Sequence, residues 1–597
     1  MFQNRTLCFL NPMPKQKIDC LFIHVPCDIK RMQGFVMYMS TGLFSMADHL
    51  QKHGFSSKII HLGVKKILNQ DFTIEKYLKT VSARAVGISL HWHQQSKDCI
   101  DLVKRIRSVS PNTKIILGGF TASFFADEIM KRHADVDFVI RGEGEVPLLK
   151  LMKELSSAWP RFSEVPNLSW RDANHTVHNA MDYVSSEKDV SDFRFSNFDL
   201  MEDFLAYTSI HYPFGSYSRK LFETRKTFFL NIGRGCPLNC SFCGGSSLSQ
   251  RVICNRDKVI FRPQEKVLQE IEQCVKAGID TVYICFDPQP HKEYYIKLFR
   301  LMRRRHIRIG MIFEFWTLPT IEFIDEFKKT FGHDRRSLLT ISPETGSESL
   351  RKRHKGIFYS NRELLNAVRR VIGNNISINV FFSYPLPFER VQDMRMTRNL
   401  AIQIDMILGD LGKTHMFKFD LDPGSPMYLC PEKYRIVKKA TSFASYCNRI
   451  EPKFLVKDSR NGRLSKAFKI WQNHDMAIKF FSQGKAYFKR HLYKEAIAKG
   501  RAALKLSYGN NGVVHLFLAL CYEKIGQYES AIGELKRAQK LRPQDSGISY
   551  LLARFHRMLG HVNQANLEMD ILHSDLNNRM PEAGGSALVE EDLAIRA

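Results

Sequence analysis

Along residues 17–155, short unbroken apolar runs alternate with stretches whose apolar residues recur every three or four positions. The runs are Cys20–Val25, Lys58–Ile60, Val86–Leu90, Lys114–Leu117 and Phe138–Ile140, and amphipathic stretches follow near 41–53, 73–81, 96–108, 122–132 and 145–155. Strands covered on both faces read as continuous apolar runs, and a helix after each strand is the crossover that parallel pairing requires. The pattern predicts an α/β fold over residues 1–155, a doubly wound parallel sheet whose ligands sit at the carboxyl ends of the strands. Residues 156–225, with scattered Pro, Ser and aromatics, read as a linker packed against the next domain.

The alternation resumes over 226–425. Strands are expected at 227–233, 280–286, 308–315, 337–343, 376–383 and 415–421, with helices such as 263–276, 319–329 and 389–407 between them. Six β/α units predict a closed or partial (β/α)6 barrel with its active site at the carboxyl ends of the strands. Residues 426–475 read as a helical connector. Over 476–579 the chain repeats itself. Gly484, Ala519 and Ala553 are spaced 35 and 34 residues apart, Ala496, Ala531 and Ala565 keep the same steps, Tyr487, Tyr522 and His556 follow the first set by three, and Pro543 closes the second unit. This period resembles the tetratricopeptide repeat, a stack of helix pairs whose small residues permit close approach. The acidic, Gly-rich residues 580–597 are expected to be a mobile tail.

Composition narrows the class. The chain has 597 residues, 44% apolar and 25% charged, as in soluble globular proteins. No run of eighteen apolar residues predicts a membrane span, and the first residues lack the apolar core of a secretory signal, so a cytoplasmic protein is expected. Thirteen cysteines, odd in number and mostly dispersed, do not form a disulfide framework. The formal charge of +27 favours an anionic partner, an acidic electron donor among them. No arginine-rich tract or interleaved aromatic groove marks nucleic acid as that partner.

One cysteine group is tightly spaced: Gly233-Arg234-Gly235-Cys236-Pro237-Leu238-Asn239-Cys240-Ser241-Phe242-Cys243-Gly244-Gly245. Three thiolates so spaced can each bind a different iron of a cubane, leaving the fourth iron open for a small chelating molecule. A zinc site or a closed cluster needs a fourth ligand, for which Cys254 is awkwardly placed.

Cys-x-x-x-Cys-x-aromatic-Cys after a first barrel strand resembles the radical S-adenosylmethionine superfamily, over about residues 226–425. The resemblance implies a [4Fe-4S] cluster on Cys236, Cys240 and Cys243 that binds S-adenosylmethionine and cleaves it to a 5′-deoxyadenosyl radical, with a flavodoxin- or ferredoxin-type electron donor. It places Phe242 at the cofactor. It makes Ile341–Leu350 the loop that reaches the cofactor ribose, through Glu344 and Ser347; Ser347 also reads as a helix N-cap. Phe286-Asp287-Pro288-Gln289 stands where relatives often have Gly-Gly-Glu, and Asp287 is the candidate substitute. Tyr384–Glu389 departs in the same way from a glycine-rich family pattern.

Upstream, Gly118-Gly119-Phe120-Thr121-Ala122-Ser123 follows the fourth strand and Arg141-Gly142-Glu143-Gly144-Glu145 the fifth. Small residues at both strand ends would let a flat cofactor lie over the sheet edge. Ahead of a radical domain they resemble the cobalamin-binding domain of the cobalamin-dependent radical class. This implies cobalamin at Gly118, Gly119, Ser123, Gly142 and Glu143, and methylation or rearrangement of an unactivated carbon in a metabolite or peptide. The first-strand loop Val25–Lys30 lacks the Asp-x-His-x-x-Gly of domains that supply a histidine lower ligand; His91 and His93, after the third strand, are candidates to face the corrin, or else line a polar loop. The repeats imply a protein partner. A transfer-RNA methylthiotransferase would share the triad and the basic charge but needs a second three-cysteine cluster, for which Cys8, Cys20, Cys27 and Cys99 are poor matches. A non-catalytic repeat scaffold with a vestigial cluster is the other alternative.

Overall fold

The computed structural model describes residues 15–26, 38–209, 226–286, 293–448, 453–456 and 476–577, apart from short breaks at 174, 333, 335, 410, 419, 440, 478, 507–510 and 542–545. The chain divides into two compact units, one of residues 1–389 and 408–458, the other of 390–407 and 459–597.

The first unit holds two parallel sheets. In one, β1 (Gln16–His24), β2 (Ser57–His61), β3 (Val81–Ser89), β4 (Lys114–Gly118) and β5 (Phe138–Ile140) lie in the order β2-β1-β3-β4-β5, all parallel. The unbroken apolar runs are buried on both faces, as in β1, where Cys20 to His24 are all buried. Order reverses at β1, so the carboxyl ends of β1 and β3 flank the crevice where a ligand can enter. Residues 156–225 do more than link. β6 (Leu168–Asp172) and β7 (His175–His178) form an antiparallel hairpin that extends the sheet beyond β5.

β8 (Thr227–Phe229), β11 (Thr281–Ile284), β12 (Gly310–Phe315), β13 (Leu338–Glu344), β14 (Ser377–Tyr384) and β15 (Gly412–Lys418) form a six-stranded parallel sheet in simple sequential order. Of the six expected strands, the last begins three residues early. A short antiparallel pair, β9 (Gly233–Arg234) with β10 (Ile260–Phe261), follows β8.

Residues 426–475 are not simply helical. Short helices at Pro426–Leu429 and Phe443–Cys447 flank β16 (Ile436–Lys439), which pairs antiparallel with β17 (Lys453–Val456). Leu421, Met427, Tyr428, Ile436, Phe443 and Tyr446 are buried in one core with Leu21, Ile88, Leu117 and Ile129 of the first sheet and its helices. A fully buried side chain of this size contributes about 1.5–3 kcal/mol. The Glu128 carboxylate accepts from the backbone N–H of Phe443 and of Ala444, each at 3.0 Å, so the earlier domain caps the helix of the later segment.

In the second unit, helices Tyr493–Leu506, Gly512–Lys524, Tyr528–Leu541, Ser546–Met558 and Val562–Asn577 follow a helix ending near residue 489. Ala496, Ala519, Ala531 and Ala565 are fully buried. A Cβ on Gly484 would meet the Phe517 ring at 3.2 Å, and one on Gly500 would meet Leu518 Cδ2 at 2.7 Å, which is why the repeat demands small residues there. Pro543 and the tail 580–597 lie outside the described residues. No described helix is long and apolar enough to cross a membrane.

Candidate active site

The triad loop starts where β9 meets β10. A Cβ on Gly233 would stand 2.3 Å from the Ile260 carbonyl oxygen, and one on Gly235 (φ +91°) 2.7 Å from that of Lys258. Glycine alone allows such an approach. The loop then carries Cys236, Cys240 and Cys243, which all line one cavity of about 660 Å³.

The loop is held from behind by the helix Glu348–Lys355. Ser241 N donates to His354 O at 2.7 Å and Cys240 Sγ to Lys355 O at 3.8 Å. Burial draws the His354 pKa down to about 4, so the imidazole is neutral. With Nε2 donating to Pro387 O at 2.9 Å, Nδ1 accepts from Ser241 Oγ at 2.9 Å. Gly245 N donates to Cys243 Sγ at 3.3 Å. Burial pushes the Cys240 and Cys243 thiols up to about 12. They are therefore protonated until a metal displaces the protons. Cys236 acts electrostatically on Cys240, and Cys240 on Cys243, so the three share one locus. Yet among the described residues no three His, Cys, Asp or Glu side chains converge on a single ion. Cys254 is buried and feels the charges of Glu143, Arg234 and Arg256 rather than those of the triad.

The barrel contributes the carboxyl ends of β11, β12 and β13. Cys285, Phe286, Glu314, Trp316, Ser342, Glu344 and Lys355 line the same cavity. Glu344 has φ +65° beside a register shift between β13 and β14. A left-handed non-glycine residue costs about 1–3 kcal/mol and marks a place where the surroundings impose the conformation. Here the Ser383 hydroxyl donates to Glu344 Oε2, and Lys355 Nζ lies 3.6 Å from Oε1. The fully buried Arg351 donates to Pro343 O, Thr345 O, Tyr359 O and Asn361 Oδ1, fixing the loop after Glu344. Burial raises the pKa of Glu314, which accepts from Tyr283 Oη at 3.3 Å and is hydrogen-bonded to Cys285.

From the first sheet and its loops, Ser89, His91, Gly118, Gly119, Phe120 and Gly142 line the same cavity. Gly119 (φ +103°) would set a Cβ 2.8 Å from Leu90 O, whereas a Cβ on Gly118 would meet nothing nearer than Ile140 O at 3.8 Å. His91 stacks on Phe120 (4.9 Å, 24°), and burial lowers its pKa to about 4. His93 is turned to Asp420, 3.4 Å away.

The first sheet and the triad loop are joined by a buried ion network. Arg234, two residues before Cys236, donates to Glu143 Oε2 at 2.9 Å and to Glu145 Oε1. Arg256 Nε donates to Glu143 Oε1 at 2.6 Å, and Ser45 Oγ to Glu145 Oε1 at 2.6 Å. Burial alone would raise the Glu143 pKa; Arg234 and Arg256 outweigh it and hold the group at about 2.

Of the residues singled out in the sequence, Phe242, Glu344, Gly118, Gly119, Gly142 and Glu143 reach the cavity, but the Glu143 carboxylate is taken up by the two arginines and Ser185. Ser123 is not among the cavity walls: its hydroxyl donates to Gly119 O at 2.8 Å and accepts from Gly142 N at 2.9 Å, tying the two loops together. Ser347 is buried at the N-cap position without a side-chain cap bond, and is likewise absent from the walls. Asp287 lies outside the described residues. Sequence reasoning missed Lys355, Cys285, Glu314 and Trp316. The last three end barrel strands and could have been found by asking what stands there; Lys355 carries no such signal.

Three family models match this chain: B12 binding domain over residues 38–152, Radical SAM superfamily over 230–401, and Anaphase-promoting complex, cyclosome, subunit 3 over 481–567. The hopanoid C-3 methylase of Methylococcus capsulatus is 25% identical over 280 residues, 45% of each chain. The chain spans less than half the length of the first curated relatives it matches. Among solved structures, the cobalamin-dependent S-adenosylmethionine radical enzyme OxsB, with aqua-cobalamin and S-adenosylmethionine bound, superposes with a TM-score of 0.60 at 15% identity, over 94% of this chain and 84% of its own. The radical S-adenosylmethionine methyltransferase TsrM from Kitasatospora setae, with cobalamin and a [4Fe-4S] cluster, does so with 0.53 at 14%, over 72% and 81%. At these identities the likeness establishes the fold.

Proposed function

We propose that this protein, which matches the B12 binding domain and Radical SAM models one after the other, is a cobalamin-dependent radical S-adenosylmethionine enzyme that methylates an unactivated carbon. One observation carries the reading: a single cavity is walled by the strand ends of the first sheet and by all three thiols of the triad. A corrin, a cluster and a sulfonium compound acting in sequence need such a shared, water-poor space.

Cys236, Cys240 and Cys243 would hold the [4Fe-4S] cluster, and Gly118, Gly119 and Gly142 would face the corrin. Bound there, the cluster supplies the electron that splits S-adenosylmethionine and the corrin carries the methyl group. Glu344 and Lys355 offer opposite charges to the cofactor's ribose hydroxyls and carboxylate. Phe242, Phe286 and Trp316 are aromatic walls that keep water from a reactive carbon. Glu314 and Cys285, next to one another at the barrel end, offer hydrogen bonds to a polar group of the substrate. The substrate is a metabolite or peptide, and the repeats bind a protein partner, a use that stacked helix pairs serve well. The eleven described cysteines are all free thiols, which suits a reducing cytoplasm.

The test is anaerobic purification with metal counting and a cofactor-cleavage assay. About four irons and one cobalt per chain are expected, with 5′-deoxyadenosine released on reduction. A cluster that persists after all three cysteines become alanine would refute the assignment. About eight irons without cobalt would favour a methylthiotransferase instead.

A further inference from the structure

We propose that the outer face of the helix Glu348–Lys355, together with Lys433, Arg435 and Phe388, is the docking surface for an acidic, one-electron carrier protein of the flavodoxin class. The inference rests on the proposed function, which needs an electron delivered to the cluster, and adds where it enters.

Two arginines share one ring here, and each has a lysine close by in the chain. Lys352, Arg353, Lys433 and Arg435 are all exposed. The Arg353 guanidinium lies 4.2 Å, and that of Arg435 5.4 Å, from the centroid of one ring, Phe388. Among the described residues Lys352, Arg353 and Lys433 have no carboxylate partner; their close contacts are aromatic rings. Glu432, also exposed, is the acid within 431–435. In a chain of charge +27, such a patch attracts an acidic protein.

What singles this patch out from other basic surfaces is what lies beneath it. The Phe388 ring is half-buried and stacks, 6.3 Å away and 26° inclined, on the His354 imidazole. That imidazole is hydrogen-bonded to Ser241, the residue after Cys240, and the next residue of the helix, Lys355, receives the Cys240 thiol on its carbonyl. A continuous route of one ring contact, one hydrogen bond and covalent bonds thus leads from the surface cations to a triad cysteine. Phe388 is held at φ +65°, a conformation an aromatic residue seldom adopts. One electron would leave the carrier's reduced flavin, oxidising it by one equivalent, and reduce the cluster by one; no proton or group need move.

The experiment follows bleaching of the cluster's absorbance in stopped flow, using the reconstituted full-length protein and a reduced flavodoxin. Titanium(III) citrate, which needs no docking, is the parallel reductant. Arg353→Glu with Arg435→Glu should lower the second-order rate with flavodoxin about tenfold, abolish most of its salt dependence, and leave the titanium rate unchanged. Lys352→Glu with Lys433→Glu, both at exposed positions, should give a smaller loss in the same direction, with unchanged iron content. An unchanged flavodoxin rate in both double variants overturns the proposal. So does an equal loss with both reductants in the Lys352/Lys433 pair, or a patch whose charge reversal weakens RNA binding and not flavodoxin reduction. Because cluster reduction is read without turnover, this result is separate from the methyl-transfer reading, which instead fails if the titanium-reduced, S-adenosylmethionine-loaded protein yields no 5′-deoxyadenosine.

Discussion

Replacing Arg234 by methionine removes the cation that joins the first sheet to the triad loop while keeping most of the side-chain volume. Arg234, Glu143 and Glu145 side chains are only 13%, 9% and 3% exposed. At 2.9 Å and an effective dielectric of about 20, one such pair is worth about 6 kcal/mol before desolvation. Glu143 keeps Arg256, so the cost falls on Glu145, left with the Ser45 hydroxyl as its remaining described hydrogen-bond partner. Orphaning a buried charge costs about 3–5 kcal/mol, and that loss is expected for the first unit. Adding Glu145→Gln removes the stranded charge, so the double variant should lose about 2 kcal/mol less than the sum of the singles. Denaturant unfolding followed by tryptophan fluorescence is the assay, since four of the five tryptophans lie in that unit. A loss below about 1 kcal/mol, or simple additivity, would refute the claim that the network is buried and coupled.

Three further outcomes are expected. Glu143 has its pKa depressed to about 2 from 4.5, so it stabilises the fold fully above pH 4.5 and progressively less as pH falls toward 2; in Glu143→Gln that part of the acid slope should vanish, and a slope unchanged between those limits contradicts the network. Glu344→Gln removes the charge that faces the buried Lys355 and should weaken S-adenosylmethionine binding by about tenfold in a calorimetric titration; equal affinity would remove Glu344 from the cofactor site. Gly500→Val drives a branched side chain against Leu518 and should cost the repeats about 1–3 kcal/mol, seen as earlier loss of helical circular dichroism on heating; an unchanged melt would mean the helices do not approach as closely as described.

Patterns that repeat within a few residues were legible from the chain alone. The apolar runs marked nearly every parallel strand because a strand buried on both faces has no polar side to show. The 34-residue step marked the helix pairs because Gly484, Ala496, Ala519 and Ala531 sit where two backbones nearly touch. The triad stood out because Cys236, Cys240 and Cys243 fall within eight residues of one glycine-rich loop. What joins elements far apart left no such trace. Arg234 and Glu145 are 89 residues apart and read separately as ordinary charges; Glu128 caps a helix more than three hundred residues later. Lys355 enters the cavity only because its helix is packed behind the triad loop. Residues 426–475 looked like a connector because their apolar positions follow neither period; Met427, Tyr428, Ile436, Phe443 and Tyr446 were waiting for a core supplied by the first sheet. Hydrophobic periodicity records which face of an element is buried and not against what, so the local elements were determined by the sequence and the meeting of sheet, loop and barrel around one cavity was decided by tertiary packing.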